Sequence, residues 1–231
     1  MSISASPWDS PDTVAGFVRS PPNTELLAFA QSEHRRLVDE RTSGLALDLG
    51  CGAARNAAPL AAAGWRVLGL DLSLPMLDAA RRRAALSGAL PGSLHLACSI
   101  MERLPVADRV VDLVIAHGIW NLASSSAEFR RAIAEAARVA KPGAGLFVFT
   151  FSRNTLPPDA EPYRGEPFVF TQFSGRPQCF LSEAQLIEEL SAVGFDHEPN
   201  VPLRELNGAR ARTLGGGPPV ILEGVFRRAA D

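Results

Sequence analysis

The chain predicts an α/β fold, a mostly parallel sheet covered by helices on both faces. Two observations carry that expectation. Apolar runs and helical patterns alternate from residue 45 to residue 151, and within that stretch a glycine turn, Gly50 to Gly52, joins a buried-type run to an alanine-rich helix. A second run, Trp65 to Leu70, ends on Asp71 and completes a βαβ unit of the kind that holds a nucleoside-bearing ligand.

Taken in order, residues 1 to 22 are rich in Ser, Pro and Asp, with Trp8, Phe17 and Arg19 among them. They read either as a loose tail or as a lid over a ligand. Asn23 or Thr24 caps an amphipathic helix to about Glu40, with Leu26, Leu27, Phe29 and Ala30 as its apolar face. Leu45, Ala46, Leu47 and Leu49 form the first strand, and the helix after the turn spans Asn56 to Ala63. The next helix, Leu74 to about Leu86, turns Met76, Leu77 and Ala80 inward and Arg81, Arg82 and Arg83 to solvent. Strands follow at Leu94 to Cys98 and Val110 to Ala116, then a helix over 126 to 140 that stops at Pro142 and Gly143, then the strand LFVFTF. Prolines and glycines from 152 to 180 break this rhythm and read as a cap-like insertion containing Tyr163. Ser182 and Gln185 form a capping box that starts the next helix, to about Val193.

The glycine spacing chooses between ligands. A dinucleotide fingerprint needs GxGxxG, and Arg55 stands where its third glycine belongs, so NAD fits poorly. The run Asp48, Leu49, Gly50, Cys51, Gly52, Ala53, Ala54 instead resembles the first motif of the class I S-adenosylmethionine (SAM) dependent methyltransferases. GLDLS, ERLP and RVAKPG extend the likeness, which runs from residue 48 to about 227. It implies a Rossmann-like three-layer sandwich: a seven-stranded, mostly parallel sheet closed by an antiparallel C-terminal strand, here the Leu203 to Leu206 piece and PVILEGVFRR. Residues 1–231 would form a single domain of the small-molecule type, with the arm and helix of 1–40 and the insertion 152–180 shaping the acceptor pocket.

SAM then assigns roles. Asp71 lies nineteen residues after Gly52, where a carboxylate can accept from both ribose hydroxyls; otherwise it caps the segment at Ser73. The resemblance implies Leu72 and Met76 beside the adenine, although Met76 equally suits the helix core. The family places an acid before Leu-Pro, and Ile100 occupies that spacing here. The adenine contact then falls to Ser99 and the backbone of Ile100 and Met101. Arg55 meets the methionyl carboxylate or acts structurally. His117, after the fourth strand, is the candidate base, since an ordinary histidine pKa of ~6.5 suits that task; otherwise it shapes the pocket or bonds SAM. Trp120 and Asn121 are either acceptor wall and handle, or core and turn. Phe17 and Tyr163 complete the candidate acceptor contacts. Holding a nucleophile about 3 Å from the methyl, in line with sulfur, supplies most of the catalysis.

Composition bounds the rest. At 231 residues, 46% hydrophobic and with a net charge of −2, the chain has room for one sizeable core and lacks a basic footprint for nucleic acid or an anionic membrane. Cys51, Cys98 and Cys179 are unpaired in pattern, no signal or membrane-spanning run is present, and the histidines lack metal spacing. A cytoplasmic protein without metal, acting on a small molecule, is expected, and no signal for an oligomeric state is present. The alternatives are a SAM sensor or partner subunit that transfers nothing, and an NAD-dependent oxidoreductase.

Overall fold

The computed structural model describes residues 6–39, 44–198, 201–208 and 217–230. Two compact units emerge: residues 1–101 with 110–115, and residues 102–109 with 116–231.

In the first unit, Ser10 accepts from the Thr13 N–H and starts helix α1 (Pro11–Arg19), with Pro11 at a position where its missing N–H costs nothing. Helix α2 (Thr24–Asp39) begins where the Asn23 carboxamide accepts from Leu26 N–H. Its apolar stripe buries Leu26 and Ala30. Glu40, the expected end, lies outside the described residues. Strand β1 (Leu45–Leu49), helix α3 (Ala57–Ala62), strand β2 (Arg66–Asp71), helix α4 (Leu74–Leu86), strand β3 (Leu94–Cys98) and strand β4 (Val111–His117) then alternate as expected. β1 pairs with β2 and β2 with β3, both parallel, in the order β3, β2, β1, β4. β1 and β4 are near-continuously apolar, as strands covered on both faces must be. Asp112 is buried within that apolar strand, where its carboxylate accepts from the Leu45 N–H at 2.9 Å and fixes the start of β1.

Arg83 departs from expectation. It does not share the solvated face of Arg81 and Arg82, because its Nη2 donates to the carbonyls of Phe17 at 3.4 Å, Val18, and Ser20 at 3.5 Å. The end of α1 exposes unsatisfied carbonyls, and a guanidinium is the side chain best shaped to collect several. The arm is therefore docked on α4, with Phe17 against Ala53, Met76 and Ala79. Ser73 Oγ also donates to the Trp8 carbonyl, and Asn23 N–H to the buried Asn56 carboxamide.

In the second unit, helix α5 (Ser126–Val139) leads into strand β5 (Ala140–Phe151). β5 begins ahead of LFVFTF and includes KPGAG, where Gly143 takes a positive φ of 75°. The insertion holds no long element: two short helical turns and a ribbon of β6 (Val169–Phe170) with β7 (Gln178–Cys179). Helix α6 (Glu183–Ser191) carries both hydrogen bonds of the predicted capping box. Strands β8 (Phe195–His197), β9 (Arg204–Leu206) and β10 (Ile221–Arg228) follow, with β10 antiparallel to β5, β8 and β9. β9 is the expected Leu203 to Leu206 piece, and β8 adds a strand to the seven expected. Phe129, Phe147, Phe195 and Phe226 are fully buried, each contributing about 1.5–3 kcal/mol by leaving water.

Replacing Arg83 by alanine is expected to free the arm. Trypsin should cleave at Arg19 about tenfold faster than in the wild type, with the midpoint of global thermal unfolding little changed.

Candidate functional site

The candidate cofactor site is built at the ends of β1 and β2. Gly50 and Gly52 have positive φ of 63° and 52°, a region open to glycine at no steric cost. The turn is held by one carboxylate. Asp71 Oδ2 accepts from the Gly52 N–H at 2.8 Å, while Oδ1 accepts from the Ser73 N–H at 2.8 Å. Each oxygen keeps a further lone pair, so the group can still accept from two adjacent hydroxyls. The ribose role and the capping role are thus compatible in geometry.

Asp48 lies beneath the turn and is buried. Burial pushes its carboxyl up to about 7, with Asp71 adding to the rise, while Arg55 and a hydrogen bond from the Ala57 N–H oppose it. Arg55 also donates to the Pro21 carbonyl at 3.5 Å, tying the helix after the turn to the arm. Cys51 turns its sulfur under the sheet, where a Cβ on Gly69 would approach Sγ to 2.9 Å; the bare glycine makes that space. Burial, then Asp48 and Asp71, hold the Cys51 thiol well above its usual range, so it is no nucleophile.

Phe17 covers the same turn. A Cβ on Gly52 would lie 3.2 Å from its ring and 4.0 Å from the Met76 sulfur. Met76 is buried, as its helix-core reading required. Leu72 is 63% exposed and Ile100 44% exposed, two aliphatic side chains standing open beyond the ends of neighbouring strands β2 and β3. Ser99 N–H donates to the Asp71 carbonyl at 3.3 Å and its hydroxyl to the Ile100 carbonyl at 3.1 Å; Met101 is half-buried beside them.

These residues fit SAM. A turn with side-chain-free positions at 50 and 52, an acid with acceptor capacity left, and an uncovered aliphatic pair answer to an amino-acid chain, a ribose and an adenine respectively.

The remaining candidates belong to the second unit. His117 stacks on Phe149, with centroids 4.1 Å apart and planes 11° apart, and the next ring in line is Phe147 at 6.4 Å. Trp120 is buried with its edge toward Phe129 at 6.1 Å, and Asn121 is buried in the same turn. Among the described residues, Trp120 Nε1 and Asn121 Oδ1 have no hydrogen-bond partner. Tyr163 is half-buried, with the Arg164 guanidinium 4.9 Å over its ring.

A cross-strand row escaped the sequence reading. Arg204, Glu223 and Phe149 are in direct register across β9, β10 and β5, and His117 stacks on the last of them. Glu223 is 3% exposed, and Arg204 Nη1 stands 3.7 Å from its Oε1. The signal was one acid inside the apolar run PVILEGVF. Along β5, Phe147, Phe149 and Phe151 share this face. Phe151 in turn meets Phe173 at 5.4 Å and Phe180 at 5.3 Å, both from the insertion.

A family model described as a methyltransferase domain matches residues 47–149. A demethylmenaquinone methyltransferase of Renibacterium salmoninarum is 30% identical over 205 residues, covering 80% of this chain and 81% of that protein. The chain belongs to the class I SAM-dependent methyltransferases. The demethylmenaquinone methyltransferase of Corynebacterium urealyticum is 29% identical over 84% of this chain and 87% of its own length. Among solved structures, the magnesium protoporphyrin IX methyltransferase of Synechocystis PCC 6803, with bound SAH, matches at a TM-score of 0.58 and 20% identity, covering 87% of this chain and 83% of that one. The [4+2]-cyclase SpnF matches at 0.63 and 18%, covering 88% and 81%. The methyltransferase fold is thus shared by a protein named for another reaction. SAM is the cofactor of this methyltransferase, and its substrates are small molecules. Among the described residues, no helix is long and apolar enough to cross a membrane, and no group of three metal-ligating side chains is present.

A pH dependence follows from Asp48. Its folded-state pKa, about 7, lies above the unfolded value of about 3.9, so the folded protein retains a proton that the unfolded chain has lost. Its contribution is greatest below about pH 4 and is lost as pH rises toward about 7, on the order of 4 kcal/mol in all. Urea titrations between pH 4 and 8 are expected to show this decline in the wild type and a flatter profile in Asp48→Asn.

Proposed function

We propose that this methyltransferase acts on a small ring acceptor of the demethylmenaquinone kind. Asp71 holds the ribose, the Gly50–Gly52 turn and Arg55 hold the methionyl chain, and Leu72 and Ile100 flank the adenine. Ser99 and the backbone of Ile100 and Met101 complete the adenine contact. When bound, SAM supplies an electrophilic methyl group on a positive sulfur.

The observation that carries the cofactor half is Asp71, a carboxylate already in register with Gly52 and retaining lone pairs for two hydroxyls. The acceptor half rests on the aromatic face of β5, which suits a flat apolar ring, and on the activity named for the two relatives. His117 is the base that receives an acceptor proton, with Phe149 fixing its ring plane. The arm acts as a lid: Phe17 lies on the glycine turn and excludes water from it. The chain works as one methyltransferase domain, with the insertion 152–180 lining the acceptor side through Phe173 and Tyr163.

Asp71→Ala should weaken SAM binding at least about tenfold by titration calorimetry, since a half-buried acceptor for two hydroxyls and the strap on the turn are lost together. Unchanged affinity would overturn the ribose assignment. Incubated with methyl-labelled SAM and reduced demethylmenaquinone, the wild type should label the ring compound. His117→Ala should lower kcat by about 10²-fold or more while leaving SAM affinity unchanged. Binding of SAM with no labelled product from this acceptor or from a metabolite extract would instead identify a non-transferring SAM protein.

A further inference from the structure

We propose that Ile100 makes the base end of the cofactor slot indifferent to the 6-amino group of adenine, so that the site accepts a cofactor whose purine lacks it. This rests on the reading that Asp71 holds the ribose and the glycine turn the methionyl chain.

The order of the strands sets where the base goes. β1, β2 and β3 lie side by side and parallel, and their ends lead, in that order, to the Gly50–Gly52 turn, to Asp71, and to the segment from Ser99 to Met101. The methionyl chain and the base leave opposite ends of the ribose. With the chain at the turn and the ribose at Asp71, the base extends over the end of β3. Asp71 is directly opposite Cys98 across the two strands. Two contacts strap the segments beyond them together: Ser99 N–H donates to the Asp71 carbonyl at 3.3 Å, and Cys98 Sγ to the Leu72 carbonyl at 3.8 Å.

Two large aliphatic side chains stand open at this place, Leu72 63% and Ile100 44% exposed. Their hydration is unfavourable, and the face of a flat purine would displace that water. Such contact has no direction, so it holds a ring without sensing what its edge carries.

The polar groups beside them are neutral. The Cys98 thiol is a weak donor and acceptor, the Ser99 hydroxyl donates to the Ile100 carbonyl at 3.1 Å, and Met101 offers a thioether. The carboxylate at these strand ends, Asp71, already accepts from the Gly52 and Ser73 N–H groups and takes the ribose. An amino group that bonds a neutral carbonyl or hydroxyl in a half-open slot exchanges one partner for another and gains little. A charged acceptor would bind it roughly twice as strongly. An aspartate at 100 would supply that acceptor, and isoleucine supplies none.

The test is calorimetric, with full-length protein and two ligands: S-adenosylhomocysteine and its 6-deamino analogue, in which hydrogen replaces the amino group. Wild type is expected to bind the two within about fivefold of each other. Ile100→Asp, a change at an exposed position, should prefer the amino compound by about tenfold or more. A wild-type preference above fivefold overturns the proposal, and its loss in Glu102→Gln would name the next acid along the chain as the group that senses the amine. A ratio short of tenfold in Ile100→Asp also overturns it, because position 100 then lies away from the amino group. Asp71→Ala run in parallel separates the two readings. Unchanged affinity for both ligands there counts against the ribose placement only, whereas weakened binding of both, with the wild-type ratio above fivefold, counts against Ile100 only.

Discussion

The two hydrogen bonds accepted by Asp71 organise the first unit. One carboxylate at the end of β2 holds the turn that leaves β1 and the segment that starts α4. Two loops that must face one ligand are therefore spaced by a single rigid group, before any ligand arrives. Such preorganisation lowers the ordering cost of binding. It also explains why the turn needs a residue without a side chain at 52: a Cβ there meets Phe17 from above while φ is already positive.

The same arrangement is electrostatically expensive. Asp48 is buried under the turn, close enough to Asp71 for their charges to repel, and Arg55 offsets only part of the cost. A methyl donor that brings positive charge would relieve this repulsion. Instability kept at a binding turn and recovered on occupancy is a common arrangement for functional sites. In the second unit, Glu223 is likewise a buried acid inside an apolar strand.

Much of the fold was legible because its signals are local. The start and end of α4, the span of β3 and the Ser182–Gln185 capping box follow from caps, breakers and periodicity within a few residues. The glycine turn and Asp71 were legible because a βαβ unit fixes which loop ends meet. Arg83 was not: it shares a run with two solvated arginines, and only the docking of α1, more than sixty positions earlier, distinguishes it. Glu223 was missed for a related reason. Its meaning depends on the register of β10 against β5 and β9, and a strand pairing across some seventy residues leaves no trace in neighbouring positions. Strand β5 reaching back through Pro142 reflects the same limit, since Pro142 and Gly143 end a helix without preventing an extended strand from starting beside them.

The grip on the arm has an evolutionary consequence. Arg83, Ser73 and Arg55 all fasten to peptide carbonyls, a feature that nearly every residue carries. Substitutions at positions such as 18, 20 or 21 would leave those clasps in place. The covering segment is thus free to drift in composition while staying attached, so new substrate preferences can arise there without rebuilding its anchorage.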